Sequence, residues 1–161
     1  MVEQCIFCQE YGGGWNTFAE TDLWRARWDL FPATPGHVAI LPKRHVQYLE
    51  ELTDDELQAM MWFARYVMGQ VRGTDLVGLY TAMLSDSTEQ NQPVLSSALL
   101  AAQYHGRQPD AFNLGLNDGP AAGQTVHHFH LHLMPRWDGD VPNPKGGVRN
   151  LFSHDTNGGT K

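Results

Sequence analysis

Basic residues are scarce in this chain. Lys plus Arg number 11 against 18 Asp plus Glu, a formal charge of −7 with neutral histidine. Nucleic-acid-binding domains show the opposite balance, so no nucleic-acid partner is expected. Any anionic ligand must be held by local groups, because the overall field repels it. Long apolar runs are missing too: no stretch of about 18 apolar residues exists, so no membrane partner is expected. Cysteine is reduced to two residues in 161, Cys5 and Cys8, too close in sequence for an ordinary loop-closing disulfide. Residues 1–5 have neither a basic flank nor an apolar run, so no secretory signal is read there and a reducing, cytoplasmic setting is expected. No internal repeat is found. At 42% apolar and 18% charged residues, disorder is excluded for most of the chain. The length suits one domain, read as 1–152, followed by a polar, Gly-rich tail over 153–161 that is expected to be disordered.

Hydropathy patterning places the elements. Three consecutive glycines mark residues 11–18 as a flexible loop. Residues 22–29 alternate Trp24, Ala26 and Trp28 against Leu23, Arg25 and Arg27, which predicts a strand. A turn over Phe31 to Gly36 leads to a second strand, His37 to Leu41. The clearest helix spans 53–72: Thr53 and Glu56 form a capping-box pattern, and Leu57, Met60, Met61, Ala64, Val67, Met68 and Val71 recur at helical spacing as a core face. Residues 76–84 fit helix or strand, 85–93 read as a polar loop, and 94–104 as a short helix. Strands are predicted at 111–116 and 126–134, joined by a Gly-rich loop over 117–125.

Histidine is where this sequence is rich. Four of its eight histidines lie between His127 and His132. On a strand, side chains alternate, so His128, His130 and His132 share one face, each about 6.6–6.8 Å from the next. His127, Phe129, Leu131 and Leu133 share the other. Three chemistries suit such a row: a solvated surface, a metal site, or covalent catalysis with one imidazole as nucleophile and its neighbours fixing tautomer and charge. The preceding loop, Asn117 to Thr125, has glycines that let backbone N–H groups converge on an anion. An anion cradle beside a histidine row favours phosphoryl chemistry.

The run Gly123-Gln124-Thr125-Val126-His127-His128-Phe129-His130-Leu131-His132-Leu133-Met134-Pro135-Arg136 resembles the signature of the histidine triad superfamily. Asp118 to Val126 is similar to the fragile histidine triad branch, which hydrolyses dinucleoside polyphosphates. Asp29 to His45 resembles the first half of the family, and Cys5-Ile6-Phe7-Cys8 its zinc-carrying members. The resemblance implies an α+β fold, an antiparallel sheet packed by one long helix, usually dimeric. It implies a nucleotide hydrolase or nucleotidyl transferase working through a covalent nucleotidyl-histidine, on dinucleoside polyphosphates, adenylyl sulfate or nucleoside phosphoramidates. His130 would attack the α-phosphorus, with its other ring nitrogen held by a backbone carbonyl. His128 and His132 complete the catalytic row, and His132 with the loop amides would stabilise phosphoryl charge. Asp29 matches the ribose-binding position. Asn117, Gly123, Gln124 and Thr125 match the phosphate-contacting loop, although fragile-type members often carry Gln where Asn117 stands.

Cys5 and Cys8 have zinc-knuckle spacing, and a closed tetrahedral site needs two more ligands. The resemblance supplies His45 and His128. Two departures stand out. The segment from Ser85 to Pro109 is longer than in many members and, with Gly146 to Arg149, is a candidate for shaping the pocket or a homodimer surface. The fragile-type loop also occurs together with a CxxC. His127 is expected to be exposed or partner-facing, and His37 to be structural. Lys43, Arg44, Arg136 and Arg149 are phosphate candidates or surface charges; Trp24 and Trp28 are read as sheet packing. His105 and His154 carry no signal. Two other classes stay open: a catalytically silent nucleotide-binding protein, and a metal-dependent hydrolase using the histidine row as ligands.

Overall fold

The computed structural model describes residues 5–9 and 16–146. Five strands, β1 (Thr17–Glu20), β2 (Trp24–Trp28), β3 (Val38–Pro42), β4 (Ala111–Gly115) and β5 (Leu131–Arg136), form one antiparallel sheet in the order β1-β2-β3-β5-β4. Among the described residues, four α-helices complete the α+β architecture: α1 (Ile6–Gln9), α2 (Asp54–Gly73), α3 (Leu76–Ser85) and α4 (Gln92–His105). None of the described helices is long and apolar enough to cross a membrane.

The long helix forms where its capping box predicts. Thr53 accepts from the Glu56 backbone N–H, and the Glu56 carboxylate accepts from the Thr53 N–H at 2.8 Å. These bonds satisfy two donors that a helix start otherwise leaves without partners. The apolar face of α2, with Met60, Phe63, Ala64, Val67 and Val71, packs in one core with Trp24, Trp28, Ile40, Leu131 and Leu133. The Trp24 indole N–H reaches the Glu56 carbonyl at 3.1 Å and pins β2 to the first turn of the helix.

The opposite sheet face carries the chemistry. Arg25 opposes Leu41, Arg27 opposes Ala39, and Ala39 in turn opposes His132. This face is covered by α1, whose Phe7 clusters with Ala39 and Leu41 beneath the Arg27 guanidinium, 5.0 Å from the ring centroid. Every residue of β2 and β3 is consequently buried, including the two arginines that alternation alone would leave in water.

Four sequence readings are corrected or completed by the fold. Residues 17–20 form β1 rather than the end of a loop, because Phe18 stacks on Trp28 with centroids 4.1 Å apart and pairs that segment to the sheet. Residues 76–84, which the sequence leaves open between helix and strand, are helical, with the Asp75 carboxylate accepting the Val77 and Gly78 N–H groups as its cap. The helix read over 53–72 runs one residue further, to Gly73, and Thr74 takes the cap position. The last strand begins at Leu131, not Val126. In residues 126–130 the His128 N–H turns back to Val126 O at 2.8 Å while the Phe129 N–H reaches Val46 O at 2.6 Å. Strand alternation is lost there, and His128, Phe129 and His130 are all buried. The helix read over 94–104 extends to 92–105. Residues 11–15, 147–149, His154 and the 153–161 tail lie outside the described residues.

Candidate active site

The irregular course of 126–130 sends each histidine to a different partner. The His128 Nε2 donates to the Pro42 carbonyl at 2.9 Å, so its Nδ1 carries the lone pair. That nitrogen faces Cys5 Sγ at 3.6 Å and Cys8 Sγ at 3.5 Å, while His45 Nδ1 lies 3.1 Å from Cys8 Sγ. The four ligand atoms lie within 4.8 Å of one another. A thiolate and an imidazole nitrogen at tetrahedral positions on one zinc are separated by about 3.6 Å, from bond lengths of about 2.3 and 2.0–2.1 Å. The donor set is Cys2His2, and one of its histidines has its second nitrogen anchored on a carbonyl, the arrangement that fixes a metal-binding tautomer. Burial pushes His128 down to about 4, opposed by the Pro42 carbonyl, and so keeps it neutral and able to coordinate. Burial and the neighbouring Cys5 thiol push Cys8 up to about 11; a cation that holds the thiolate reverses this.

His130 is held through the main chain of the same residue. Its Nδ1 donates to the His128 carbonyl oxygen at 2.8 Å, so in the neutral ring the lone pair lies on Nε2. Phe7 presents its edge at 5.3 Å, and the His132 ring stands perpendicular at 4.8 Å. His128 therefore serves this row with its carbonyl, not with its ring, which is turned to the thiols. His132 projects from β5 opposite Ala39 on one side and Gly115 of β4 on the other, so no side chain crowds it from β4. Burial lowers His132 to about 4, assisted by His37 and His130 and opposed by Asp29.

His37 belongs to this constellation, although the sequence reading took it as structural. Its Nε2 lies 3.0 Å from His132 Nδ1, and its Nδ1 is 3.6 Å from the Asp29 carboxylate. The available sequence signal was its place one residue before β3, the strand that pairs with β5. Asp29 is partly exposed, with Oδ1 accepting the Phe31 N–H at 2.8 Å.

The Gly-rich loop is braced rather than loose. Gly119 and Gly123 adopt φ of 93° and 89°, flanking a 3-10 turn at Pro120–Ala122; such angles favour glycine. The buried Gln124 accepts the Gly119 N–H at 3.2 Å and donates to Gln47 O at 3.0 Å. Its side chain is thus spent on the loop, where the sequence reading had it as a phosphate contact. Asn117 Nδ2 reaches Gly123 O at 3.4 Å, and Asp118 accepts the Leu49 N–H. Thr125 is exposed at the rim of a cavity of about 480 Å³ that also touches Cys5, His45 and Gln47. His127 is exposed, as expected, 3.1 Å from Gln47. Lys43, Arg44 and Arg136 are committed to Glu20, Glu56 and Asp140, so their charges are balanced within the protein.

Sequence and structure comparisons place this fold among known proteins. A family model described as HIT domain matches residues 15–139. The chain is 31% identical over 135 residues to a bis(5'-nucleosyl)-tetraphosphatase (asymmetrical) of Schizosaccharomyces pombe, covering 84% of this chain and 57% of that protein. It is 29% identical over 114 residues to an AP-4-A phosphorylase of Mycobacterium tuberculosis, covering 70% of this chain and 42% of that protein. The chain thus spans only about half the length of these curated relatives. A solved HIT family protein from Bacillus anthracis shares the fold with a TM-score of 0.59 and 28% identity, over 84% of this chain and 74% of that one. With the family match extending over most of the chain and the histidine row seated on the matching fold, this protein belongs to the HIT domain family.

Proposed function

We propose that this chain is a nucleotide hydrolase or nucleotidyl transferase that works through a covalent nucleotidyl-histidine on His130. The observation that carries the reading is the His130 Nδ1–H bond to the His128 carbonyl, which leaves the Nε2 lone pair free at neutral charge. A neutral imidazole is a competent nucleophile near pH 7. Nε2 attacks the α-phosphorus, an N–P bond forms, and the P–O bond to the leaving group breaks with its electron pair on the leaving oxygen. Water or inorganic phosphate then displaces His130 from phosphorus and regenerates the enzyme. His132 and the backbone N–H groups of the 117–125 loop stabilise charge on the phosphoryl oxygens. Asp29 accepts from the ribose hydroxyls, and Asn117, Gly123, Thr125 and the main chain at Gln124 meet the phosphates.

Dinucleoside polyphosphates and related adenylylated compounds are the proposed substrates. The names of the tetraphosphatase and phosphorylase relatives support this class. The Cys5, Cys8, His45 and His128 cluster is proposed to hold a structural zinc, supported by its donor set and spacing. The metal would supply folding energy and tie the N-terminal segment to the catalytic one.

The test is a nucleotide panel read for AMP release with and without inorganic phosphate, together with rapid-quench mass spectrometry. The wild type should show a nucleotidyl adduct on His130, and His130→Ala should lose most turnover, as expected for loss of a nucleophile. Turnover near the wild-type level in His130→Ala would overturn the proposal.

A further inference from the structure

We infer that His37 is a positioning residue that fixes His132 as a neutral hydrogen-bond donor. The inference rests on the nucleotidyl-transfer reading above, in which His132 meets the phosphoryl oxygens.

The argument is a proton count. The Ala33 backbone N–H donates to His37 Nδ1 at 3.2 Å. A peptide N–H can only donate, so Nδ1 carries a lone pair. A neutral imidazole has a single N–H, and in His37 it must sit on Nε2. That nitrogen lies 3.0 Å from His132 Nδ1, so it donates there. His132 Nδ1 is then a lone pair, and its only proton is on Nε2. One backbone amide therefore dictates the tautomer of two successive imidazoles. Burial favours the neutral form in both rings.

The consequence is an opposition between neighbours. His130 carries its proton on Nδ1 and offers a lone pair at Nε2, whereas His132 offers an N–H at Nε2. The two rings stand 4.8 Å apart at 86°. Attack at phosphorus needs both kinds of group, a nucleophile and a donor that stabilises the charge that develops on oxygen.

The fold holds His37 from a second side. Tyr80 of α3 accepts the Gly36 N–H through its hydroxyl at 2.7 Å. Gly36 has φ +77°, and a Cβ there would meet Leu76, Pro135 and Val71 at 3.1–3.3 Å. The turn before His37 is thus clamped between α2, α3 and β5. Asp29 stands at 3.6 Å from Nδ1, too far for a hydrogen bond, where it meets a charge only if His37 gains a second proton. Asp29, His37 and His132 each place one ligand atom within 4.8 Å of the others, but both ring nitrogens of His37 are already engaged, Nδ1 by the Ala33 N–H and Nε2 by His132.

The test uses the whole 161-residue chain, supplied with zinc and labelled with 15N-histidine, the His132 signal being assigned by its loss in His132→Gln. At neutral pH the wild-type spectrum should place the His132 proton on Nε2 and the His130 proton on Nδ1. In kinetics, His37→Leu should lower kcat about 10- to 100-fold with KM little changed, short of or equal to the loss of a full oxyanion donor. His37→Gln sets an amide N–H near the position of Nε2 and should recover at least part of that loss. A His132 proton on Nδ1 would overturn the inference. So would a His37→Leu enzyme within about twofold of wild type, or Leu and Gln variants that are equal. Should the Leu variant fail to fold, the wild-type spectrum and the Gln variant still decide. An inactive wild type, or an unchanged His130→Ala, defeats the nucleotidyl-transfer reading instead and leaves the spectrum to judge His37.

Discussion

Stripping the proposed zinc from the Cys5, Cys8, His45 and His128 cluster should loosen two parts of the protein at once. The cluster joins α1 and the residue before it to the loop after β3 and to the middle of the 126–130 segment, which are far apart in sequence. Without it, α1 is held mainly by Phe7 against Ala39, Leu41 and the Arg27 guanidinium. A ligand present at 100 to 1,000 times its Kd stabilises the folded state by about 2.7–4.1 kcal/mol. For a chain of this size each kcal/mol moves Tm by about 2–4 °C, so chelation should lower Tm by about 5–16 °C. Turnover should also fall, though less than in His130→Ala, because His128 supplies the carbonyl that holds the nucleophile. The assays are elemental analysis of freshly purified protein, expected to give one zinc per chain, and thermal unfolding with chelator followed by zinc re-addition. Cys8→Ala should reproduce the chelated Tm and be insensitive to added zinc. Protein without zinc, a Tm that chelator leaves unmoved, or a Cys8→Ala variant as stable as wild type would refute the reasoning.

Asp29 should make the enzyme a reader of ribonucleotides. A 2'-deoxy substrate should react about tenfold or more slowly by kcat/KM, since the charged carboxylate acceptor loses a partner, and Asp29→Ala should erase most of that difference; equal rates for both sugars in the wild type would refute the role. Glu56 accepts from Arg44 at 2.6 and 3.0 Å and caps α2, and these bonds hold its carboxyl down at about 2. Glu56→Ala should cost about 2–3 kcal/mol in denaturant unfolding, the sum of a charge-assisted bond and a helix cap; a cost under about 0.5 kcal/mol would contradict this. The same depression means that the contribution of Glu56 is intact above the unfolded carboxyl pKa and is lost as pH falls toward 2. For His132, whose pKa falls to about 4 on folding, the unfolded chain takes up a proton first. Stability should therefore decline as pH falls from about 6.5 to 4, by at most about 3 kcal/mol, and a His132→Gln variant should show a shallower decline over that window.

The local elements were largely legible in the residues. Thr53 and Glu56 mark the start of α2 because a capping box is a short-range arrangement, complete within four residues. Trp24, Ala26 and Trp28 mark β2 by alternation. The segments that the sequence misread or left open share one cause. β1 is four residues long and exists because Phe18 finds Trp28, and 76–84 is a helix because it packs against α4 and is capped by Asp75. Neither partner is visible in a local window. Arg25 and Arg27 occupy the polar face of an alternating strand, yet are buried because α1 folds over that face.

By itself the sequence determined the chemistry available: a row of imidazoles, a glycine loop and two thiols at metal-binding spacing. It also determined the antiparallel α+β frame that carries them. What only the tertiary structure decided is which nitrogen of each imidazole faces which partner. Spacing along a strand would put His128, His130 and His132 on one face in equivalent roles. In the fold, His128 turns its ring to Cys5 and Cys8 and its carbonyl to His130, and His132 leans on His37 from the turn just before β3. Residues 95 to 123 positions apart make the side-chain contacts between these groups. A proton's place on a ring is set by the donor or acceptor brought against it, and those neighbours come together only when the chain is folded.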